Sequence, residues 1–329
     1  MLYSNLIEKM NSKNILILGC GNIGSRHLQA LTKLPYNLQI DIIEPNSDSK
    51  DIAKSRLNQS NFDSKKHKIS WFDTVDESLQ SYDLAIISTP SPGRVEHIIK
   101  LLEIGIKQFL IEKIVCQSDA EYESLLSNLE KYDAKGWINT NMRYFDFYQK
   151  IKTNLKKSKI HISVIGSRPV LGTNAIHYLD LACWLSDDPN YVLSGDYLME
   201  ETFPNKRGTQ FLEFAGTLIG TGKKSSAILT FFPESDLPTI INIVDDENHI
   251  MIDEMNDKIF VLSGNLEINY QFEHVSTLTT KIIYDIFEKN DCLLPTATEI
   301  FPLHSELFRI FNNHLKKTKN IETSLCPIT

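Results

Sequence analysis

Two ionisable side chains in this sequence stand where a proton can be moved. Lys113 closes the apolar run Phe109-Leu-Ile-Glu-Lys113, and His177 opens the helical stretch that runs from Gly172 through Asp180 to Leu185. A desolvated lysine loses its proton more readily and donates hydrogen bonds to a hydroxyl oxygen, which suits acid/base work. A histidine titrates near the working pH and serves as general base. His177 and Asp180 are three residues apart and share a helix face, with Leu181, Trp184 and Leu185 on an adjacent apolar one. Each residue also has an ordinary reading. Glu112-Lys113 can be solvated surface charge, His177 a satisfied core or capping histidine, and Asp180 a buried carboxylate capping nearby backbone N–H groups.

What would position such groups is a nucleotide-type fold. Ile15 to Leu18 run straight into Gly19, Gly21 and Gly24 at G-x-G-x-x-G spacing, and a helical pattern of Ile23, His27, Leu28 and Leu31 follows. Strand, glycine turn and helix is the context in which this spacing cradles a pyrophosphate on a helix N-terminus. The loop residues Gly19, Gly21, Asn22, Ile23 and Gly24 are therefore candidate cofactor contacts. Glu44 ends the next apolar run, 20 residues beyond Gly24. A carboxylate there accepts from a ribose 2′-OH and repels a 2′-phosphate, so NAD is favoured over NADP. Ala85-Ile-Ile-Ser88 leads into Thr89-Pro90-Ser-Pro-Gly93, a turn expected at the carboxyl edge of the sheet, where ligands bind in open α/β folds. A lysine at the end of the fourth strand would lie at the nicotinamide end.

Residues 14–115 alternate short apolar runs (15–18, 40–43, 84–88, 108–111) with helical stretches (25–34, 48–57, 94–103, 118–131), and 137–141 reads as one more strand. Such alternation implies parallel pairing in a doubly wound sheet. From about Lys159 longer alternating runs (160–165, 210–219, 226–232, 240–244, 249–252, 258–262, 266–272) separated by turn signals imply a mostly antiparallel sheet, with helices at 175–185, 277–288 and 302–316. The expected class is α/β: an N-terminal Rossmann domain over 12–142, then an α+β domain with an open sheet over 143–329. That sheet offers a face for pairing, so a homo-oligomer is expected.

Bulk properties exclude other classes. The 329 residues carry a formal charge of −8, against the basic face of a nucleic-acid protein, and Lys65-Lys66-His67-Lys68 reads as a short solvated loop. No apolar run reaches the ~18–20 residues that span a bilayer, and Met1–Lys13 lacks the apolar centre of a signal peptide. Five cysteines without a C-x-x-C pair fit a reducing cytoplasm and offer no metal-ligand spacing; Cys20 reads as a small residue filling a tight turn.

With these residues in view the sequence resembles the Gfo/Idh/MocA oxidoreductases, the family of glucose–fructose oxidoreductase and inositol dehydrogenase, over most of its length. Gly19-Cys-Gly-Asn-Ile-Gly-Ser-Arg-His27, Ser88-Thr89-Pro90, Glu112-Lys113, Asn141-Met-Arg143-Tyr144 and His177-Tyr-Leu-Asp180 follow the family's elements in order. The resemblance implies a nicotinamide cofactor, a sugar or cyclitol substrate, and Lys113 with His177 as the catalytic pair. It adds Glu112 to the cofactor side. Asn141, Arg143 and Tyr144 become pocket wall, Arg143 with a possible structural part. Three departures stand out. Ile114 replaces a proline after the lysine. Thr173 stands four residues before His177 where many relatives carry Asp, with Asn174 beside it as a partial substitute. Arg94 falls where a histidine is frequent; it meets a substrate carboxylate or phosphate, or is a solvated residue in a helix's first turn. The leading expectation is hydride transfer between NAD and a carbinol or keto carbon of a sugar, cyclitol or nucleotide sugar. The alternatives are a non-catalytic NAD-binding regulator and an imine or enone reductase on the same fold.

Overall fold

The computed structural model describes residues 12–60, 62–75, 81–155, 159–189, 191–264, 273 and 275–329. The expected strand over 266–272 and almost all of the segment Met1–Lys13 lie outside the described residues. The chain forms two units. The first comprises 1–115, 123–139 and 273–297, and the second 116–122, 140–272 and 298–329.

The first unit carries β1 (Ser12–Leu18), α1 (Gly24–Leu31), β2 (Asn37–Ile43), α2 (Ser47–Asn58), β3 (His67–Phe72), β4 (Leu84–Ile87), α3 (Arg94–Glu103), β5 (Gln108–Ile111), most of α4 (Asp119–Lys131) and β6 (Lys135–Ile138). Its six strands are parallel, in the order β3-β2-β1-β4-β5-β6. Ile15, Leu16 and Ile17 are fully buried, as continuous apolar runs are when helices cover both faces of a sheet. This is the Rossmann arrangement. The strand order reverses between β1 and β4, and all strand ends that lead into candidate residues open on the carboxyl edge.

Residues 273–297 belong to this unit by their packing. Helix α7 (Val275–Lys289) lies on α1: Thr279 Oγ1 pairs with His27 Nδ1 at 3.3 Å, and Thr280 Oγ1 donates to the Ala30 carbonyl at 3.0 Å. Farther on, Trp137 Nε1 donates to Asp291 Oδ1 at 3.2 Å and Ile138 N to the Pro295 carbonyl at 2.9 Å.

The reading of residues 65–68 as a solvated loop is corrected here. His67 opens β3 and is buried against Leu38, while Lys66 Nζ donates to the Leu34 carbonyl at 2.9 Å. The last strand also stops earlier than expected. After Ile138 the chain turns into a single 3-10 turn, Met142–Tyr144.

The second unit carries α5 (Asp146–Asn154), β7 (Ile160–Ser167), α6 (Leu171–Ser186), β8 (Val192–Asn205), β9 (Gly208–Thr221), β10 (Ser225–Phe232), β11 (Ile240–Val244), β12 (His249–Asp253), β13 (Lys258–Ser263) and α8 (Ala297–Lys319). Its seven-stranded sheet runs β13-β12-β11-β7-β10-β9-β8. Among the described residues only β7 and β10 pair in parallel; every other pair of this sheet is antiparallel. On β7 and β10 buried residues alternate with open ones, so one face is covered and the other presents Ile165, Ile228 and Phe232.

Candidate active site

Within the first unit the glycine turn has the expected form. Gly19 takes a φ of +83°, and a Cβ on Gly24 would fall 2.1 Å from the Gly19 carbonyl oxygen. Ser88 Oγ donates to that same oxygen at 2.6 Å, tying the β4 turn to the β1 turn across the reversal point. Helix α1 starts without a side-chain cap and without an acidic residue in its first turn. Asn22 and Ile23 are exposed, and a Cβ on Gly21 would meet only Ser49 Oγ, 3.9 Å away. The uncapped start of this helix over a small open cradle fits a pyrophosphate. Glu44, 8% exposed, accepts from the Cys20 amide at 2.7 Å and from the Asn46 amide at 3.0 Å. Burial and the Glu44 charge outweigh Arg56 and push the Cys20 thiol up to about 12, so it stays protonated. Arg56 was not legible as a site residue. It reaches from α2 to donate to the Asn22 carbonyl at 2.9 Å and to Ser25 Oγ at 2.6 Å.

At the end of β5 stands Glu112-Lys113. Both are buried, at 6% exposure each, which overturns the solvated-charge reading. Glu112 Oε1 meets His27 Nε2 at 2.9 Å and accepts from Asn139 Nδ2 at 2.5 Å. Burial pushes this carboxyl upward, but His27, Asn139 and the Lys113 charge more than offset it and hold it down at about 2. The Lys113–Ile114 peptide is cis. Arg94 is fully buried, so it is not a solvated first-turn residue. Its guanidinium donates to the carbonyls of Thr89, Glu112 and Ile114, bracketing Lys113. This corrects the expectation of a cation held out to a substrate anion, because main-chain carbonyls already engage its donors.

In the second unit Asp180 is 1% exposed. It accepts from Arg143 through Nε at 3.0 Å and Nη2 at 2.5 Å, and from Thr140 Oγ1 at 2.7 Å. Its carboxylate is thus engaged by the side chains of Arg143 and Thr140 and caps no backbone N–H group among the described residues. Arg143 also reaches Glu299 at 2.9 Å. Burial alone would lower its pKa; the two carboxylates raise it, keeping the guanidinium charged. Beyond this pair, toward the end of α6, lies a hollow of about 180 Å³ bordered by Trp184, Asp187 and Leu303. Tyr144 is buried and Asn141 half-buried. His177 is half-buried one turn beyond Thr173 and Asn174. Thr173 is engaged through both its amide and its hydroxyl by Glu213 of β9, a residue the sequence did not single out.

Residues 13–140 match the Gfo/Idh/MocA model, described as an oxidoreductase family with an NAD-binding Rossmann fold. The nucleotide-binding half belongs to the Gfo/Idh/MocA oxidoreductases. Solved structures extend the likeness over the whole fold. UDP-N-acetylglucosamine 3-dehydrogenase GnnA from Acidithiobacillus ferrooxidans superposes with a TM-score of 0.68 at 13% identity, covering 91% of this chain and 96% of its own. An oxidoreductase from Agrobacterium radiobacter in complex with NAD+, L-tartaric acid and magnesium gives 0.67 at 12% identity, covering 94% and 96%. A super-repressor mutant of Gal80p from Saccharomyces cerevisiae gives 0.67 at 14% identity, covering 93% and 97%. At these identities the structures share the fold alone. No protein of curated function matches the sequence. Residues 13–140 are therefore an NAD-binding Rossmann domain of the Gfo/Idh/MocA type. Among the described residues no helix is long and apolar enough to cross a membrane.

Proposed function

We propose that the chain transfers a hydride between NAD and a carbinol or keto carbon of a sugar, cyclitol or nucleotide sugar in the cytoplasm, as a homo-oligomer. One observation carries this reading. In the first unit β2 lies on one side of β1 and β5 on the other, so Glu44 and the buried Lys113 flank the glycine turn from opposite sides. A ribose-binding carboxylate at one end and a desolvated ammonium at the other is the polarity a dinucleotide dehydrogenase needs.

Bound dinucleotide supplies the hydride acceptor or donor. Gly19, Gly21, Asn22, Ile23 and Gly24 with Ser88, Thr89 and Pro90 would hold its phosphates, and Glu44 its adenosine ribose. In the oxidising direction His177 takes the hydroxyl proton, while Lys113 donates to the same oxygen and stabilises its developing negative charge. Arg94 sets the backbone on both sides of Lys113, and Glu112 fills the space behind it. Asn141, Tyr144 and Asn174 form wall for the substrate, with Arg143 and Asp180 as the wall's support.

Lys113→Ala tests the reading. Turnover on a responsive keto-sugar should fall about 10²–10⁴-fold, with NADH affinity by fluorescence kept within a few-fold. Near-normal turnover overturns it. The repressor among the fold neighbours favours one other reading, a cofactor-binding regulator; tight NADH binding without oxidation by any of a broad panel of keto-sugars and nucleotide keto-sugars would decide for that.

A further inference from the structure

The turn from Gly19 to Gly24 contains no charged side chain, and Glu44, which accepts from the Cys20 amide, brings a negative charge to its start. A positive charge reaches it from α2. Arg56 donates through Nη1 to the Asn22 carbonyl at 2.9 Å and to Ser25 Oγ at 2.6 Å, and through Nη2 to Asn22 Oδ1 at 3.1 Å. Ser25 Oγ donates in turn to the Asn22 carbonyl at 3.3 Å. Asn22 is exposed, yet one guanidinium grips both its main-chain and its side-chain oxygen. The charge is felt within the turn: burial and then Glu44 push the Cys20 thiol up, and Arg56 pulls against them.

A guanidinium has donors and no acceptor, so it takes the oxygen end of the Asn22 amide. What Asn22 then offers to an incoming group is its NH2 end, a donor suited to a phosphate oxygen. We propose that Arg56 is a positioning residue for the phosphates of the dinucleotide: it locks Asn22 in the glycine turn, sets its amide as a donor, and lends one positive charge to an uncharged loop. This rests on the reading that the glycine turn holds those phosphates. The main chain at Arg56 has a separate task. Gln29 Nε2 donates to the Arg56 carbonyl at 2.7 Å, tying α2 to α1, and Ala53 and Leu57 bury the inner face of α2. A substituted side chain at position 56 leaves both in place.

Arg56→Gln keeps an amide donor and removes the charge. In the full-length protein, NADH titrations by fluorescence should show Kd rising about tenfold at low salt, the scale of one charge-assisted hydrogen bond. Salt screens the charge, so the gap from wild type should narrow to about threefold or less near 0.5 M NaCl. Asn22→Ala should cost a similar factor. The double variant should cost little more than the worse single one, because the two side chains act as one unit. Arg56→Lys should regain the salt dependence but only part of the affinity, since an ammonium lacks the two-pronged grip. A mere staple between α1 and α2 predicts a gap indifferent to salt and additive costs. Either result, or folded Arg56→Gln within about twofold of wild type at low salt, overturns the proposal. The parent reading fails differently: wild type itself would then bind no NADH, whereas NADH binding alike in wild type and Arg56→Gln removes the role of Arg56 alone.

Discussion

Glu112→Gln probes the buried network behind Lys113. The native carboxyl is held at about 2, well below the ordinary 4.5 of a glutamate. That gap of about 2.5 units corresponds to at most about 3 kcal/mol favouring the folded state. The sign follows from the depressed folded pKa. The stabilisation is fully present above pH 4.5, where the unfolded carboxyl is ionised as well, and drains away as pH falls from 4.5 toward 2. Glutamine keeps the shape and removes the charge, so it should cost up to about 3 kcal/mol at pH 7, a cost that shrinks progressively below pH 4.5. Urea unfolding in a Trp184→Phe background isolates the first unit, because the remaining tryptophans, Trp71 and Trp137, both belong to it. Wild type and Glu112→Gln should separate most at pH 7, and the gap should close by more than half by pH 3. A difference that stays constant from pH 7 to pH 3 would refute the assignment of an ionised Glu112 held by His27, Asn139 and Lys113.

Two further outcomes are expected. Glu44→Gln should raise the ratio of kcat/KM for NADP over NAD about tenfold or more, by removing repulsion of a 2′-phosphate; an unchanged ratio would take Glu44 away from the ribose. On the open face of the second sheet, Ile165, Ile228 and Phe232 are 42–46% exposed, and Ile228→Lys with Phe232→Lys should shift the sedimenting mass to that of one chain, an expectation that fails if wild type already sediments as a monomer at 100 µM.

Legibility in the sequence followed the range of the interactions. The run Ile15–Leu18 is buried on both faces, so its composition alone announces a central parallel strand, and the glycines after it need only their own spacing. Strand β8 was missed. It is an edge strand with three breaks of register, where Leu193 and Leu198 are buried and Asp196, Glu200 and Glu201 interrupt any alternation. β3 was hidden for a similar reason, being the outer strand beside β2 with a half-covered pattern. Lys113 and His177 could be singled out as candidates because strand ends and helix starts mark themselves. Arg94 reads locally as a surface residue, and its burial comes from carbonyls 18 and 20 positions away. Glu213 lies 40 residues from Thr173 and Glu112 lies 85 from His27, separations at which single-chain periodicity carries no signal.

The packing of α7 on α1 has a bearing on how the chain is made. His27 turns one ring nitrogen to Glu112 and the other to Thr279, so the network behind Lys113 is shared between the start of the chain and a helix some 250 residues later. During synthesis at about 5–20 residues per second, the six strands of the nucleotide-binding unit emerge well before the helix that covers α1. For a span of tens of seconds the growing chain must carry an unclosed nucleotide-binding unit, with the apolar flank of α1 bare and Tyr36 still lacking Phe287 and Glu288. The first unit to begin folding is thus completed only after all seven described strands of the second have been made.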